Sequence, residues 1–138
     1  MIEKDILQYL QSKTVLTTKL GGVGKIMNVM PIATAKMPWL CIEVSGGTDD
    51  KMGASKQQEL ATMRIYVDAG ATQMVQGREA IELAKGYLQD LRGDLYDTKD
   101  LYVKCGVISG YAGMDGSYRY SMTVSAKFMV PYAVHQPT

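Results

Sequence analysis

The residues whose types could support catalysis are few and lie far apart in the sequence. The single histidine, His135, stands in the segment PYAVHQPT, so a Ser-His-Asp or Cys-His arrangement would depend on a residue near the end of the sequence. Cys41 and Cys105 have no CxxC spacing and no neighbouring histidine, so we expect buried thiols rather than a disulfide or a metal pair. No nucleophile, acid and base are gathered at these positions.

Two further patterns superficially suggest acid/base catalysis or phosphate binding. Three acids cluster in the connection after a long amphipathic segment: Asp94, Asp97 and Asp100. Acids in such a connection are usually solvated rather than catalytic. The run GGVGK at residues 21–25 resembles a phosphate-binding loop, but GxxxxGK[ST] requires glycine where Lys19 stands and a hydroxyl where Ile26 stands. We therefore predict no enzyme activity, no metal site and no cofactor.

The tyrosines near the end of the sequence raise the question of a nucleic-acid interface. Tyr118 and Tyr120 flank Arg119, and sheets that bind single-stranded nucleic acids interleave aromatic and basic side chains in this way. Residues two apart share one face of a strand, however, and Met122 and Val124 continue the face of the tyrosines. We expect both tyrosines to lie in the core or in a subunit interface.

Charge and hydropathy limit the remaining function classes. The 138 residues include 15 lysines and arginines against 14 aspartates and glutamates, so no net field favours a nucleic-acid partner, although a local patch is not excluded. The N-terminus MIEKDILQYL does not resemble a signal peptide, and no segment approaches the roughly 20 apolar residues of a membrane span. We expect a soluble protein that is cytoplasmic at synthesis.

A central helix over residues 72–92 is the element around which the others are arranged. Its apolar residues recur at steps of three and four, with Thr72 as the expected N-cap and Gly93 as the expected stop. Small residues on the apolar side, including Gly77, Ala80 and Ala84, predict close packing against a flat surface. That surface is expected to be a sheet, because the segments on both sides of the helix alternate like strands.

The flanking patterns complete the predicted fold. Period-two alternation predicts strands at 39–44, 58–69, 101–111 and 117–130, and residues 25–30 also look extended. Residues 2–12 predict a short first helix, whereas 14–24 are weakly patterned with a short extended piece at 15–18. We predict one α+β domain over residues 1–138, with an antiparallel or mixed sheet of about four to five strands against the two helices. A long polar hairpin loop at 45–56 and a short tail at 131–138 complete it.

The strand at 117–130 is long compared with the helix that should cover it. At about 3.3 Å per residue it would extend some 45 Å, whereas the central helix would measure about 30 Å. A strand that projects beyond its core exposes backbone groups that can pair with another chain. A strand of this length either bends within a monomeric sheet or projects beyond the core. The mismatch favours self-assembly, with a neighbour's strand continuing the sheet, over a bent monomeric sheet.

The order of elements resembles that of the tail terminator or tail-completion proteins of long-tailed bacteriophages, and of related minor structural proteins of phage necks. The resemblance is one of layout and spans nearly the whole sequence. It is carried by IEKDILQYL, by MRIYVDAGATQMVQGREAIELAKGYLQDL and by the closing strand YRYSMTVSAKFMV.

The resemblance implies a non-enzymatic ring, usually of six subunits, in the tail or neck of a virion assembled in the host cytoplasm. Such a ring would end tail-tube polymerisation, join the head through a neck protein and pass DNA without specific binding. Under this hypothesis the contact residues for the tube are in the polar loop: Asp49, Asp50, Lys51 and Lys56. The expected subunit-interface residues are on the last strand: Tyr118, Arg119, Tyr120 and Lys127.

Two alternatives stay open at this point. A monomeric, sheet-based RNA- or ligand-binding module would use a basic exposed face with Lys104, Arg119 and Lys127 as the candidate residues. A small enzyme would need Asp97 or Asp100 to act in turnover, and nothing else in the pattern supports it.

Overall fold

The computed structural model of the chain describes residues 2–28, 36–52, 58–112 and 116–131. Its helices are α1 (Ile2–Gln11), α2 (Thr14–Leu20) and α3 (Met74–Leu88), with a 3-10 turn at Val23–Lys25. The described strands are β1 (Ile26–Met27), β2 (Trp39–Met52), β3 (Gln58–Ala71), β4 (Arg92–Leu95), β5 (Thr98–Cys105), β6 (Ser109–Ala112) and β7 (Tyr118–Pro131). The predicted α+β class, with a sheet against a central and an N-terminal helix, is confirmed.

All described strands belong to one mixed sheet with the order β1-β2-β3-β7-β5-β4, and β6 also pairs with β7. Only the β1–β2 pair is parallel. The sheet has seven strands rather than the expected four to five. The additional strands β1, β4 and β6 are each four residues or shorter, and so few positions cannot display a clear period of two.

The strand predicted at 101–111 divides into β5 and β6. Gly106 lies between them and donates its N–H to the Thr123 carbonyl at 2.7 Å, where an added Cβ would meet that oxygen at 3.0 Å. The following Val107 is 83% exposed, although simple alternation places it on the buried face. The interruption therefore reverses the expected side-chain direction at Val107.

Helix α3 packs its small residues onto the sheet, as predicted. Gly77 lies so close to Tyr120 that an added Cβ would stand 3.1 Å from the ring. The helix begins after Gln73, not Thr72, and it ends at Leu88 rather than at Gly93. Asp90 has a φ of 61°, and this left-handed residue redirects the chain into β4.

Helix α2 replaces the extended piece expected at 15–18, so that prediction is wrong. Val15, Thr17 and Thr18 are β-branched and favour extension locally. Burial of Leu16 and Leu20, one turn apart on the same helix face, outweighs this preference. Gly21, with a φ of 94°, ends the helix and donates its N–H to the Thr17 carbonyl.

The prediction of a loop at 45–56 is also wrong for most of that segment, because β2 continues to Met52. Its pairing with β3 resumes after a bulge between Val44 and Gly46 and runs in register to the pair Met52–Gln58. Glycine and polar residues do not prevent this, since an antiparallel partner supplies the backbone hydrogen bonds whatever the side chains. The remainder of that segment, with Lys56, lies outside the described residues.

The core lies between the helices and one face of the sheet, the inner face. Its largest fully buried side chains on that side come from every layer: Ile6, Leu10, Leu16, Leu20, Ile26, Leu40, Ile42, Ile65, Ile81, Leu88 and Met122. Helix α1 touches both ends of the sheet. Gln11 donates its side-chain N–H to the Ile26 carbonyl in β1 at 2.9 Å, and Thr98 at the start of β5 donates its hydroxyl to Asp5.

Candidate assembly interface

Three 14-residue strands, β2, β3 and β7, form the centre of the sheet and are longer than the helix that covers them. At about 3.3 Å per residue each strand extends some 46 Å, whereas the 15 residues of α3 span about 22 Å. We call the part of these strands beyond the bulge the blade, namely residues 46–52, 58–64 and 125–131. The blade is continuous three-stranded sheet through the pairs Met52–Gln58 and Gln58–Pro131.

The strands of the sheet differ in how much of their length is paired on both sides. Strand β7 pairs with β3 along one side and with β5 and β6 along the other, so the prediction that a neighbour's strand continues the sheet from this strand is wrong. Strand β2 is paired with β1 only at Leu40 and Cys41. Within the described ranges, no strand pairs with the outer side of residues 42–52, a length of about 36 Å. We call this stretch the free edge.

The opposite end of the sheet has shorter edges. Strands β4 and β6 contain four residues each, and each has a pairing partner on one side only in the part of the chain that the structure describes. The two ends of the sheet therefore differ in length and in the residues that they present.

The predicted tube-contact residues fall on the free edge. Asp49, Asp50 and Lys51 lie in β2, in register with Ala61, Leu60 and Glu59 of β3. They are edge-strand residues rather than loop residues. Whether they contact a partner stays a prediction.

The predicted interface residues on β7 divide between the two faces of the sheet. Tyr118 and Tyr120 belong to the inner face, where the Tyr120 ring lies against Gly77 and Gly110. Arg119 and Lys127 belong to the outer face, with Arg119 half-buried and Lys127 exposed. Their roles in an interface stay predictions, but they cannot act as a single patch.

The outer face holds a buried aromatic and basic pair near the start of β2. Trp39 is 2% exposed, and the Arg119 guanidinium lies 4.9 Å from its ring centroid. Gly70, in register with Trp39, lets the indole lie directly on the backbone of β3. Sequence reasoning missed this pair because 80 positions of sequence separate the two residues.

A thiol and two acids follow in the next rows of the same face. Burial, followed by the charges of Glu43 and Asp68, raises the pKa of the Cys41 thiol to about 12. Burial also raises the pKa of Asp68, Glu43 raises it further, and Arg119 opposes both effects. Burial raises the pKa of Cys105 to about 11. Both cysteines are free thiols, and at neutral pH neither is a thiolate nucleophile.

The acids after α3 shape a turn. Asp94 accepts the Asp100 N–H at 3.1 Å and lies 3.6 Å from the Lys99 ammonium, while Asp97 is exposed. Nowhere in the described ranges do three His, Cys, Asp or Glu side chains gather as a metal site requires. None of the described helices has the length and apolar character to cross a membrane.

Comparison with known proteins identifies the fold. No protein-family model matches the sequence, and neither does any curated protein. The chain is similar to a chain in the solved virion of a native gene transfer agent (GTA) particle, with a TM-score of 0.76 at 10% sequence identity. The match covers 94% of this chain and 95% of the other. The two chains share one fold over nearly their whole lengths.

Proposed function

We propose that this chain is a non-enzymatic structural protein of a virion tail or neck. In this proposal it forms a ring, with six subunits as the expected number, at the head-proximal end of a tail tube. The ring ends tube polymerisation and offers the surface for head-tail joining, and it is assembled in the host cytoplasm. The fold shared with a chain of a virion particle, which extends over almost all of both chains, supports this class of function.

The observation that carries the proposal is the free edge on the blade. A strand edge about 36 Å long with open backbone donors and acceptors is a site for pairing with another strand. Monomers shorten, bulge or cover such edges, whereas here β2 continues seven residues beyond its bulge with no partner strand on its outer side in the described ranges. A second copy of this chain would satisfy those backbone groups.

The unequal ends of the sheet favour a head-to-tail contact. The free edge of one subunit would meet the end formed by β4 and β6 in the next. A contact between two different surfaces is heterologous, and repeated heterologous contacts close into a ring when the rotation between subunits permits. The joint is therefore proposed at β2 rather than at β7.

The remaining contacts follow from the position of the blade. Asp49, Asp50 and Lys51 would make polar contacts with tube or neck protein, and Lys56 is proposed for the same role. DNA would pass through the ring without base-specific recognition.

The test is the absolute mass of the purified protein by light scattering across a dilution series, with and without tail-tube protein. Two single variants, Thr48→Pro and Asp49→Pro, identify the joint. Successive residues of a strand direct their N–H groups to opposite sides, so one variant removes a donor from the free edge and the other removes a donor to β3.

We expect a discrete ring-sized mass for the wild type. The proline variant that loses the N–H on the free edge, called the edge variant, should keep its fold by circular dichroism and become monomeric. The proline variant that loses the N–H directed to β3 should lose stability. A wild-type protein that stays monomeric at every concentration, with or without tube protein, contradicts the proposal. So does an edge variant that assembles normally.

A further inference from the structure

Strand register connects each end of the sheet to a particular part of the opposite edge. We call residues that are paired from one strand to the next a row. The row that ends at the start of β4 consists of Thr48, Thr62, Lys127, Tyr102 and Arg92. Its first member, Thr48, lies on the free edge. Strand β4 is therefore level with the free edge on the other side of the same subunit.

The rows of β6 cross the sheet to a different part of β2. One of them consists of Ser109, Ser121, Asp68 and Cys41, and the next consists of Gly110, Tyr120, Ala69 and Leu40. The outer side of Leu40 and Cys41 is already occupied by β1, with which both residues pair. Strand β6 is thus level with a paired part of β2, whereas β4 is level with the free edge.

Ring closure distinguishes between these two strands. A closed ring has no rise along its axis, so when the strands run along that axis, each row of one subunit would meet the same row of the next. Rotation also preserves strand direction. Strand β4 runs in the same direction as β2, because four antiparallel pairings separate the two. The free edge of a neighbour would therefore meet β4, in a parallel pairing like that of β1 with β2.

The charged side chains of β4 leave its edge open. Charged residues on an edge strand commonly prevent pairing with another chain. Here, however, the Arg92 guanidinium lies 4.4 Å from the ring centroid of Tyr102 on β5. Asp94 accepts the Asp100 N–H at 3.1 Å and lies 3.6 Å from the Lys99 ammonium, and both partners are on β5. Both charged side chains of β4 are thus held towards the sheet and away from its edge.

We propose that the free edge of one subunit pairs in parallel with β4 of the next subunit, with Thr48 beside Arg92. The inference rests on the proposed ring and names the strand that receives the free edge. In the next row, Asp50 of one subunit is level with Lys99 and Asp94 of the other. Arg92 lies about 8 Å from Asp50 along the diagonal, within reach of a long side chain. Two carboxylates therefore meet two cations at this joint.

The test is disulfide cross-linking between the two strands. Thr48 and Arg92 of one subunit lie four strand spacings apart, about 19 Å, so cysteines at these positions cannot pair within a subunit. Across the proposed joint they are about 4.8 Å apart, a separation that a disulfide spans. After oxidation, Thr48→Cys/Arg92→Cys should give a series of covalent oligomers up to the ring-sized mass on a non-reducing gel. The wild type, with its free cysteines, reports the background.

Mixing the two single variants tests whether the contact joins different surfaces. Thr48→Cys and Arg92→Cys should each stay at the monomer mass on the gel, and their mixture should give covalent dimers and nothing larger. The matched control is Thr48→Cys/Ser109→Cys, which places the second thiol at an exposed position on β6 and should form no cross-link. A second pair, Asp50→Cys/Asp94→Cys, tests the next row with Arg92 in place and should also give the covalent series.

Light scattering of the reduced proteins separates this inference from the proposed ring. A ring-sized mass without cross-links in either β4 pair, or with cross-links in the β6 pair instead, overturns β4 as the receiving strand and leaves the proposed ring intact. Dimers from Thr48→Cys alone overturn it as well, because two β2 edges then pair with each other. A wild type that stays monomeric at every concentration, with or without tube protein, overturns the ring and this joint together.

Discussion

Gly70 has no side chain, and this allows the Trp39 ring to pack directly on the outer face of the sheet. A Cβ added at this position would lie 2.5 Å from the Trp39 ring, which is almost fully buried and is covered by Arg119. The indole cannot move aside without exposing itself. We expect Gly70→Ala to lower the free energy of unfolding by about 1–3 kcal/mol, measured by urea denaturation.

Gly86 provides the matched control for that change. It lies in α3, and an added Cβ would meet nothing within 4 Å. Alanine is favoured over glycine inside a helix, so Gly86→Ala should raise the free energy of unfolding by about 0.5–1 kcal/mol. If both variants shift stability in the same direction, steric overlap at Trp39 is not the cause.

Asp68 gives the outer face a pH-dependent contribution to stability. Burial and then Glu43 raise its pKa in the folded protein, with Arg119 opposing them. A folded pKa above the unfolded value, about 3.9 for aspartate, means that the folded state binds more protons between the two values. The contribution of Asp68 to stability is therefore greatest below about pH 3.9 and decreases as the pH rises through the folded pKa.

The variant Asp68→Asn removes this titration. We expect the urea midpoint of the wild type to fall relative to that of the variant as the pH increases from about 4 towards neutrality. Because Cys41 stays a neutral thiol over this range, Glu43 and Arg119 are the charged neighbours that define the shift. A constant difference between the two proteins across the whole range would refute the raised pKa.

At the scale of secondary-structure elements, helix α1 connects the two ends of the sheet. Asp5 is 3% exposed and accepts the hydroxyl of Thr98, which is also buried. Asp5→Ala leaves that hydroxyl without a partner, at a cost of about 1–3 kcal/mol in the free energy of unfolding. Gln8→Ala, at an exposed site on the same helix, should have no destabilising effect.

A double-mutant cycle with Thr98→Val isolates the pair. If the hydroxyl is the reason for the loss, Asp5→Ala should cost less in the Thr98→Val background than in the wild type. Equal costs in both backgrounds would instead assign the effect to helix α1 itself. Urea denaturation of the four proteins is sufficient to decide.

The elements that sequence reasoning identified correctly are those with long, uninterrupted periods. Helix α3 and strand β7 each repeat one pattern over 14 or 15 residues, so local preference and burial agree. In α2 local preference and burial disagree. Three β-branched residues favour an extended chain, whereas burial of Leu16 and Leu20 on one face requires a helix. The second half of β2 carries glycine and acids, and only its pairing with β3 makes it a strand.

The same limit applies to the candidate interface. The polar composition of 45–56 predicts a loop with Asp49, Asp50 and Lys51 as contact residues, but an edge is a property of strand order, which no single segment encodes. The long strand β7 was the evident joint until the order β3-β7-β5 placed it inside the sheet.

For the whole molecule, the decisive question is whether the proposed joint uses two different surfaces or one surface twice. In a heterologous ring each subunit gives its β2 edge to one neighbour and receives an edge from the other. A subunit whose free edge is blocked by proline still keeps its receiving end. In an isologous dimer of two β2 edges, the blocked subunit has no remaining contact.

Mixing blocked and wild-type subunits separates these arrangements. We expect isotope-labelled edge variant, added to disassembled wild type, to enter oligomers as a terminal subunit and to lower their average size by native mass spectrometry. Size should fall further as the variant fraction rises, because each blocked subunit opens one joint of a closed ring. If labelled subunits never appear in a complex, β2 pairs with itself around a twofold axis, and the head-to-tail ring is excluded.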